Sequence, residues 1–351
     1  MTHRPHRQRN LGRLAQGLAT LALVAACAPG DTPDSRATID GTAFATYYRV
    51  TLSGVDDTRM LDALRADIDA LLEGIDASMS TYRADSELNR LNAAPPGEWQ
   101  DISGPLFDTL AVALQATDDT DGAFDVTVGR LVNLWGFGPD GRPERVPDPD
   151  ALARALADTG PEHIELDAER QAARRLTPVF IDLSGVAKGY AVDAVAALLD
   201  DRGFESFLVS IGGDMVARGQ PTPGRAWRIG IEAPEPPGAR PVHALALRDR
   251  AIATSGDYRN YFEHEGRRYS HIIDPRTGQP VDHRLGSVSV IHADNIWANA
   301  YATGLFALGP DAGMAVADRL DLEALFVVRG DDGFEIRKSR ALELSDTVRR
   351  E

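Results

Sequence analysis

Apolar residues along this 351-residue chain recur with two different periods. Met60, Leu61, Leu64, Ile68, Leu71, Leu72 and Ile75 fall on one helical stripe, which predicts a packing helix over residues 57–79 with Asp56 or Asp57 as its N-cap. A second helix is predicted from about Asp85, with Ser80, Tyr82 and Arg83 on the loop before it. The pattern favours Tyr82 as a core aromatic over a platform for a planar ring. Further helices are predicted over residues 104–120, opened by a Gly-Pro pair, and from Asp148-Pro149 to about Gly160. Residues 139–149, rich in Pro and Gly, read as a surface loop.

Strand patterns gather in the second half, although the β-branched and aromatic run around Gly41-Thr-Ala-Phe-Ala-Thr-Tyr-Tyr already reads as a strand leading into another. Residues 206–211, 215–218, 227–232, 242–247, 251–254 and 285–292 are predicted strands, the first two meeting at Gly212-Gly213. Val179-Phe-Ile-Asp reads as a buried strand entering a helix that ends at Gly203. Asp294 is placed to cap a helix running to Leu308 and stopped by Gly309-Pro310. A last helix over 311–320 and a hairpin about Asp331-Asp332-Gly333 follow, with the tail after Ala341 frayed.

Composition, 43% hydrophobic and 26% charged, is that of a globular body. Net charge is −16, and the first 26 residues carry four arginines and no acid, so the remainder is more acidic still. Such a surface repels nucleic acid and anionic lipid, and an anionic ligand needs a local site. The amino terminus is basic to Arg13 and apolar from Leu18 to Ala26, too short for a comfortable membrane span. Val24-Ala25-Ala26-Cys27 is similar to a bacterial lipobox, and Cys27 is the only cysteine. This predicts a signal peptide over 1–26, a lipid-modified Cys27, a tether over 27–37 and one domain over 38–345, on the periplasmic side of the inner membrane.

The densest polar chemistry lies in residues 254–280, where Asp274-Pro275-Arg276-Thr277-Gly278 reads as a turn between strands and four arginines suit an anion. Of only two lysines, Lys188 stands in an apolar, glycine-rich run at a strand-to-helix junction, a phosphate site without the spacing of a P-loop or dinucleotide fingerprint. Asn299 and Thr303, four apart, share a helical face. Their oxygens could reach Mg²⁺, though spacing alone favours a polar helix face.

Seven runs in order resemble the ApbE family of FAD:protein FMN transferases. They are Met79-Ser-Thr-Tyr-Arg, Gly122-Ala-Phe-Asp-Val-Thr-Val-Gly through Gly138-Pro139, Asp182-Leu-Ser-Gly-Val-Ala-Lys-Gly-Tyr, Ile211-Gly-Gly-Asp, Thr254-Ser-Gly-Asp-Tyr-Arg-Asn-Tyr, Ser270-His-Ile-Ile-Asp-Pro and the helix bearing Asn299 and Thr303. The resemblance implies a single α/β, T-fold-like domain with a mixed sheet and flanking helices. It implies Mg²⁺-dependent transfer of the FMN half of FAD to a Ser or Thr hydroxyl of acceptor flavoproteins in membrane redox complexes, with AMP released. It places flavin contacts at Phe44, Tyr82, Ala123, Phe124, Asp125, Asp182, Lys188 and Ile273, and metal contacts at the Gly185 carbonyl, Asn299 and Thr303. Rival readings are hydrolysis of FAD to FMN and AMP at the same site, and a non-catalytic FAD-binding lipoprotein.

Two positions depart from the family pattern. Phe44-Ala45-Thr46 stands where Met-Gly-Thr is usual, and Asn299 where an Asp is usual. An amide is a weaker Mg²⁺ ligand than a carboxylate, so either affinity is lower or an acid such as Asp274 or Asp294 contributes. Among eight histidines, His271 alone sits in such a motif, which suggests a general base. Asp274 either orients it or merely starts the turn.

Overall fold

In the computed structural model, residues 36–345 are described apart from 56–57, 141–145, 236–240 and 259. The expected signal peptide, Cys27 and nearly all of the tether therefore lie outside the described residues, as do Asp56 and Asp57. Eight strands build the main sheet: β1 (Arg36–Ala43), β2 (Thr46–Ser53), β3 (Phe207–Ile211), β4 (Asp214–Arg218), β5 (Arg250–Gly256), β6 (Leu285–His292), β7 (Glu323–Arg329) and β8 (Phe334–Lys338). They lie side by side in chain order. Every pairing is antiparallel, where a mixed sheet was expected. Arg36 and Ala37, read as tether, already belong to β1.

The helices are α1 (Leu61–Met79), α2 (Glu87–Ala93), α3 (Gly104–Asp119), α4 (Gly129–Leu134), α5 (Pro149–Ala157), α6 (Ala187–Asp201), α7 (Asn295–Arg319) and α8 (Arg340–Leu344). Strand side chains alternate between two cores, as the period of two requires. Ala253, Val288 and Phe326 pack with α1, α3, α6 and α7. Ile252, Ile291 and Leu325 pack under the hairpin of Trp227–Glu232 and Pro241–Leu247. No helix among the described residues is long and apolar enough to cross a membrane.

Several local expectations are corrected, each by a partner distant in sequence or by a better cap. The helix expected from about Asp85 is α2, which begins at Glu87 because Ser86 caps it, its Oγ accepting the Asn89 N–H at 3.0 Å. Residues 179–182 form no strand, and only an isolated parallel bridge joins Phe180 to Val128. Three short strands, Gln100–Asp101, Ile164–Asp167 and Ala172–Arg175, make a small sheet that the pattern did not announce. At Gly309-Pro310 the helical path breaks as expected: Gly309 takes φ 81° and ψ −177°, outside the helical region, so α7 is two helices meeting at a kink, the second ending at Arg319. Beyond Ala341 the chain does not fray at once, because Ser339 caps α8 and Leu342 is fully buried.

The start of α7 anchors the helix that carries Asn299 and Thr303. Asp294 makes no side-chain cap there. The Asp193 carboxylate on α6 does so instead, accepting from the N–H groups of Asn295 and Ile296 at 2.8 Å each. Burial pushes the Asp193 pKa up to about 6, against those two hydrogen bonds. Gly189 lets α6 and α7 close on each other: a Cβ there would lie 2.6 Å from the Asn295 carbonyl oxygen.

Candidate active site

A cavity of about 440 Å³ opens where the α6 start, the α7 face and the ends of β4 and β5 meet. Tyr82, Ala123, Phe124, Asp125, Asp182, Gly185, Lys188, His271, Ile273, Asn299 and Thr303 all line it. Phe44 and Asp274, the other two positions singled out, do not. Phe44 occupies the β1–β2 turn with Ala45, at φ 51° and 57°. This left-handed geometry suits a tight hairpin and strains any residue with a Cβ. A glycine at the position of Ala45, as the family pattern has it, would take it without strain.

Two loops form one wall through the same device. The Asp125 Oδ1 accepts from the Thr127 N–H at 2.8 Å and its hydroxyl at 2.7 Å. The Asp182 Oδ1 accepts from the Ser184 N–H at 2.9 Å and its hydroxyl at 2.5 Å. Each carboxylate thereby closes a turn on the residue two positions on, which fixes the loop backbone. The Asp182 N–H donates to the Val126 carbonyl at 2.7 Å and locks the two loops together. Burial raises the Asp125 pKa, the hydrogen bonds from Thr127 opposing it. Tyr82 is not a core residue: it is 68% exposed, and its hydroxyl donates to the Phe137 carbonyl at 3.0 Å. The ring is left as a platform at the mouth.

Among the described residues Lys188 is the only Lys or Arg lining the cavity. The ammonium is not alone, for it pairs with Asp214 at 2.6 Å. Asp214, 1% exposed, also accepts the Thr254 N–H at 3.2 Å. This partner ends the Ile211-Gly-Gly-Asp run, so the signal was present in the sequence although its role was not. Three of the four arginines of residues 254–280 serve elsewhere, Arg267 pairing with Asp282 at 2.6 Å. Arg276 pairs with Asp274, Arg268 stacks on the Tyr261 ring and donates to the Asp257 carbonyl, and Arg259 lies outside the described residues.

His271 Nδ1 lies 2.9 Å from the Asn260 carbonyl oxygen. A carbonyl only accepts, so Nδ1 carries the proton and Nε2 is the acceptor. Phe137 meets the imidazole edge-on at 6.3 Å. Burial lowers the His271 pKa, while the Asn260 carbonyl and Asp257 pull it up. Asp274 does not orient the imidazole: both its oxygens bind the Arg276 guanidinium, at 2.9 and 2.8 Å, and it starts the turn. The aromatic chain Trp135, Tyr269, Phe262 and Phe137 holds the hairpin of Tyr261–His264 and Arg267–Ser270, which leads into His271, against the end of α4.

On α7 the Thr303 Oγ1 sits 3.3 Å from the Gly185 carbonyl oxygen and 3.3 Å from the Ser255 Oγ. Asn299 is 4% exposed, and its Oδ1 accepts the Gly189 N–H at 3.2 Å. Gly185 is packed so that a Cβ would meet the Phe124 ring at 3.0 Å, which leaves its carbonyl beside Thr303. These are hard, uncharged oxygens. Among the described residues no group of three or more His, Cys, Asp or Glu is placed to hold a metal, and neither Asp274 nor Asp294 lines the cavity. The set fits Mg²⁺ as it commonly binds beside nucleotides, where substrate phosphates supply the negative charge.

The ApbE family profile matches residues 44–326. A Vibrio cholerae protein described as FAD:protein FMN transferase is 41% identical over 321 residues, covering 91% of this chain and 94% of that one. A Haemophilus influenzae protein with the same description is 38% identical over 337 residues, covering 94% and 97%. The solved flavin transferase ApbE from Vibrio cholerae superposes with a TM-score of 0.80 at 40% identity, over 89% of this chain and 99% of its own. The apo flavinyl transferase ApbE of Pseudomonas stutzeri gives a TM-score of 0.81 at 38% identity, over 88% and 96%. Profile, sequence and structure agree over nearly the whole described body, and the chain belongs to the ApbE family.

Proposed function

We propose that the protein transfers the FMN half of FAD to a Ser or Thr hydroxyl of an acceptor flavoprotein and releases AMP. The observation that carries this reading is one cavity that gathers an imidazole with a free acceptor nitrogen, a single ammonium and a group of hard oxygens. In the reaction the acceptor hydroxyl oxygen bonds to the phosphorus nearest the flavin. The bond from that phosphorus to the bridging oxygen breaks, and AMP leaves with the oxygen. The His271 Nε2 takes the hydroxyl proton, and Lys188 faces the charge that grows on the bridging oxygen. Tyr82 offers a face to the flavin ring, and the turns closed by Asp125 and Asp182 hold the wall beside it. Mg²⁺ held by the Gly185 carbonyl, Asn299 and Thr303 would neutralise pyrophosphate charge.

The test is to add FAD, Mg²⁺ and candidate membrane redox subunits, then read gels for flavin fluorescence that survives denaturation. Acceptor-independent release of free FMN and AMP would point instead to hydrolysis. The metal ligands are tested separately. Asn299→Asp is expected to lower the Mg²⁺ concentration needed for half-maximal rate, because a carboxylate adds negative charge at the ion. Turnover need not rise, since that charge also repels the pyrophosphate. An unchanged Mg²⁺ requirement in Asn299→Asp with Thr303→Ala would place the ion elsewhere.

The same reading includes a lipid anchor at Cys27 that holds the enzyme at the periplasmic face of the inner membrane, near its acceptors. The support is the run Val24-Ala-Ala-Cys27 behind a basic and an apolar segment. Cys27→Ser is expected to yield soluble protein or an unprocessed precursor in fractionated cells. Processing and salt-resistant membrane binding as in the parent would mean a different anchor.

A further inference from the structure

We propose that Asn92 is a positioning residue for the flavin and metal contacts at residues 182–185, its carboxamide standing in for a neighbouring β-strand. The segment that carries Asp182, Ser184 and Gly185 belongs to no sheet, although Val179, Ile181 and Leu183 point into the core as a strand's residues would. Its buried backbone groups nevertheless need partners. One edge finds them in the loop of Asp125 and in α4: Asp182 N–H reaches the Val126 carbonyl at 2.7 Å, and the Phe180 carbonyl accepts from Gly129 at 3.1 Å.

The other edge is met by a side chain 89 residues away. Asn92 Nδ2 donates to the Ile181 carbonyl at 2.9 Å, and Asn92 Oδ1 accepts the Ile181 N–H at 2.8 Å. A primary amide presents a donor and an acceptor side by side, so one side chain makes the two bonds that a paired strand residue makes. Asn92 rides on the last turn of α2, and Arg175 secures that turn to the same segment. Its guanidinium donates to the carbonyls of Leu91 at 2.9 Å, Ala94 at 2.5 Å and Val179 at 2.5 Å. Leu88 and Leu91 bury the helix beneath.

The clamp acts one residue before Asp182 and four before Gly185, both on the cavity wall. Behind Asn92 lies a second cleft, lined also by Pro95, Arg130 and Asn133. Water entering from that cleft can satisfy Ile181 when the amide is removed, so Asn92→Ala is expected to fold with a loosened wall. Asn92→Asp keeps an acceptor for the Ile181 N–H but sets a carboxylate oxygen against the Ile181 carbonyl, and pushes the segment away. Asn92→Gln keeps both donor and acceptor one methylene farther out, with the cleft to accommodate it.

The inference rests on the flavin-transfer reading, and its test reads binding as well as rate. FAD affinity is measured by quenching of flavin fluorescence, with and without Mg²⁺, on variants whose melting temperature shows them folded. Asn92→Ala is expected to weaken FAD binding about tenfold and to raise the Mg²⁺ requirement, Asn92→Asp more so, and Asn92→Gln to recover most of the loss. The pH profile of transfer and the KM for acceptor should stay as in the parent, because His271 is held by a different hairpin. Melting temperatures that fall while FAD affinity and Mg²⁺ requirement stay within about twofold of the parent would overturn the proposal. Should Asn92→Ala fail to fold, equal FAD affinity in Asn92→Asp and Asn92→Gln would overturn it. A parent protein that binds no FAD would instead sink the flavin reading.

Discussion

His271→Ala is expected to keep FAD binding and to lose FMN transfer by about 10²-fold or more, the usual contribution of a positioned general base. A Ser or Thr hydroxyl has a pKa far above neutral, so its attack on phosphorus needs a proton acceptor at hand. The imidazole is prepared for this by the Asn260 carbonyl, which fixes the proton on Nδ1 and leaves Nε2 to accept. Burial lowers the pKa, so the neutral, basic form persists as pH falls below the ordinary histidine value. The acid limb of the parent's rate profile should therefore lie below pH ~6.5 and vanish in His271→Ala. Near-parental transfer by His271→Ala across that range would make His271 a positioning residue and move the base to a carboxylate.

Lys188→Ala is expected to damage both binding and stability, which separates it from His271→Ala. Removing the ammonium leaves the Asp214 carboxylate, 1% exposed, without its counter-ion. Breaking a fully buried pair costs roughly 3–5 kcal/mol, and the partly solvated Lys188 side chain reduces this to about 2–3 kcal/mol. Chemical denaturation should show the loss, and FAD affinity should fall with it because no other cation lines the described cavity. The double variant Lys188→Met with Asp214→Asn removes both charges. It should recover much of the stability and none of the FAD affinity. Recovery of both would mean that Lys188 serves the fold alone.

Much of this arrangement was legible in the sequence where the signal is local. The stripe of Leu64, Ile68, Leu72 and Ile75 is the buried face of α1, and the apolar run Ala324-Leu-Phe-Val-Val is a strand buried on both faces. Pairings made across the chain were not legible. Val179, Ile181 and Leu183 alternate as a strand does, yet the partner is the Asn92 amide, a contact that no periodicity encodes. Asp193 caps a helix that begins 102 residues later, so adjacent Asp294 looked the better cap. For Asp274 the short-range competitor won: Arg276, two residues on, takes both carboxylate oxygens and leaves none for the imidazole. Tyr82 shows that an aromatic's burial is set by tertiary packing, which left it exposed at the mouth of a cavity.

The most direct test of the central claim is the mass of an acceptor flavoprotein after incubation with the enzyme, FAD and Mg²⁺. The acceptor is expected to gain one phospho-linked FMN on a Ser or Thr, with one AMP released for each FMN attached. FAD consumed to free FMN and AMP with the acceptor unmodified, or FAD bound and left intact, would contradict it.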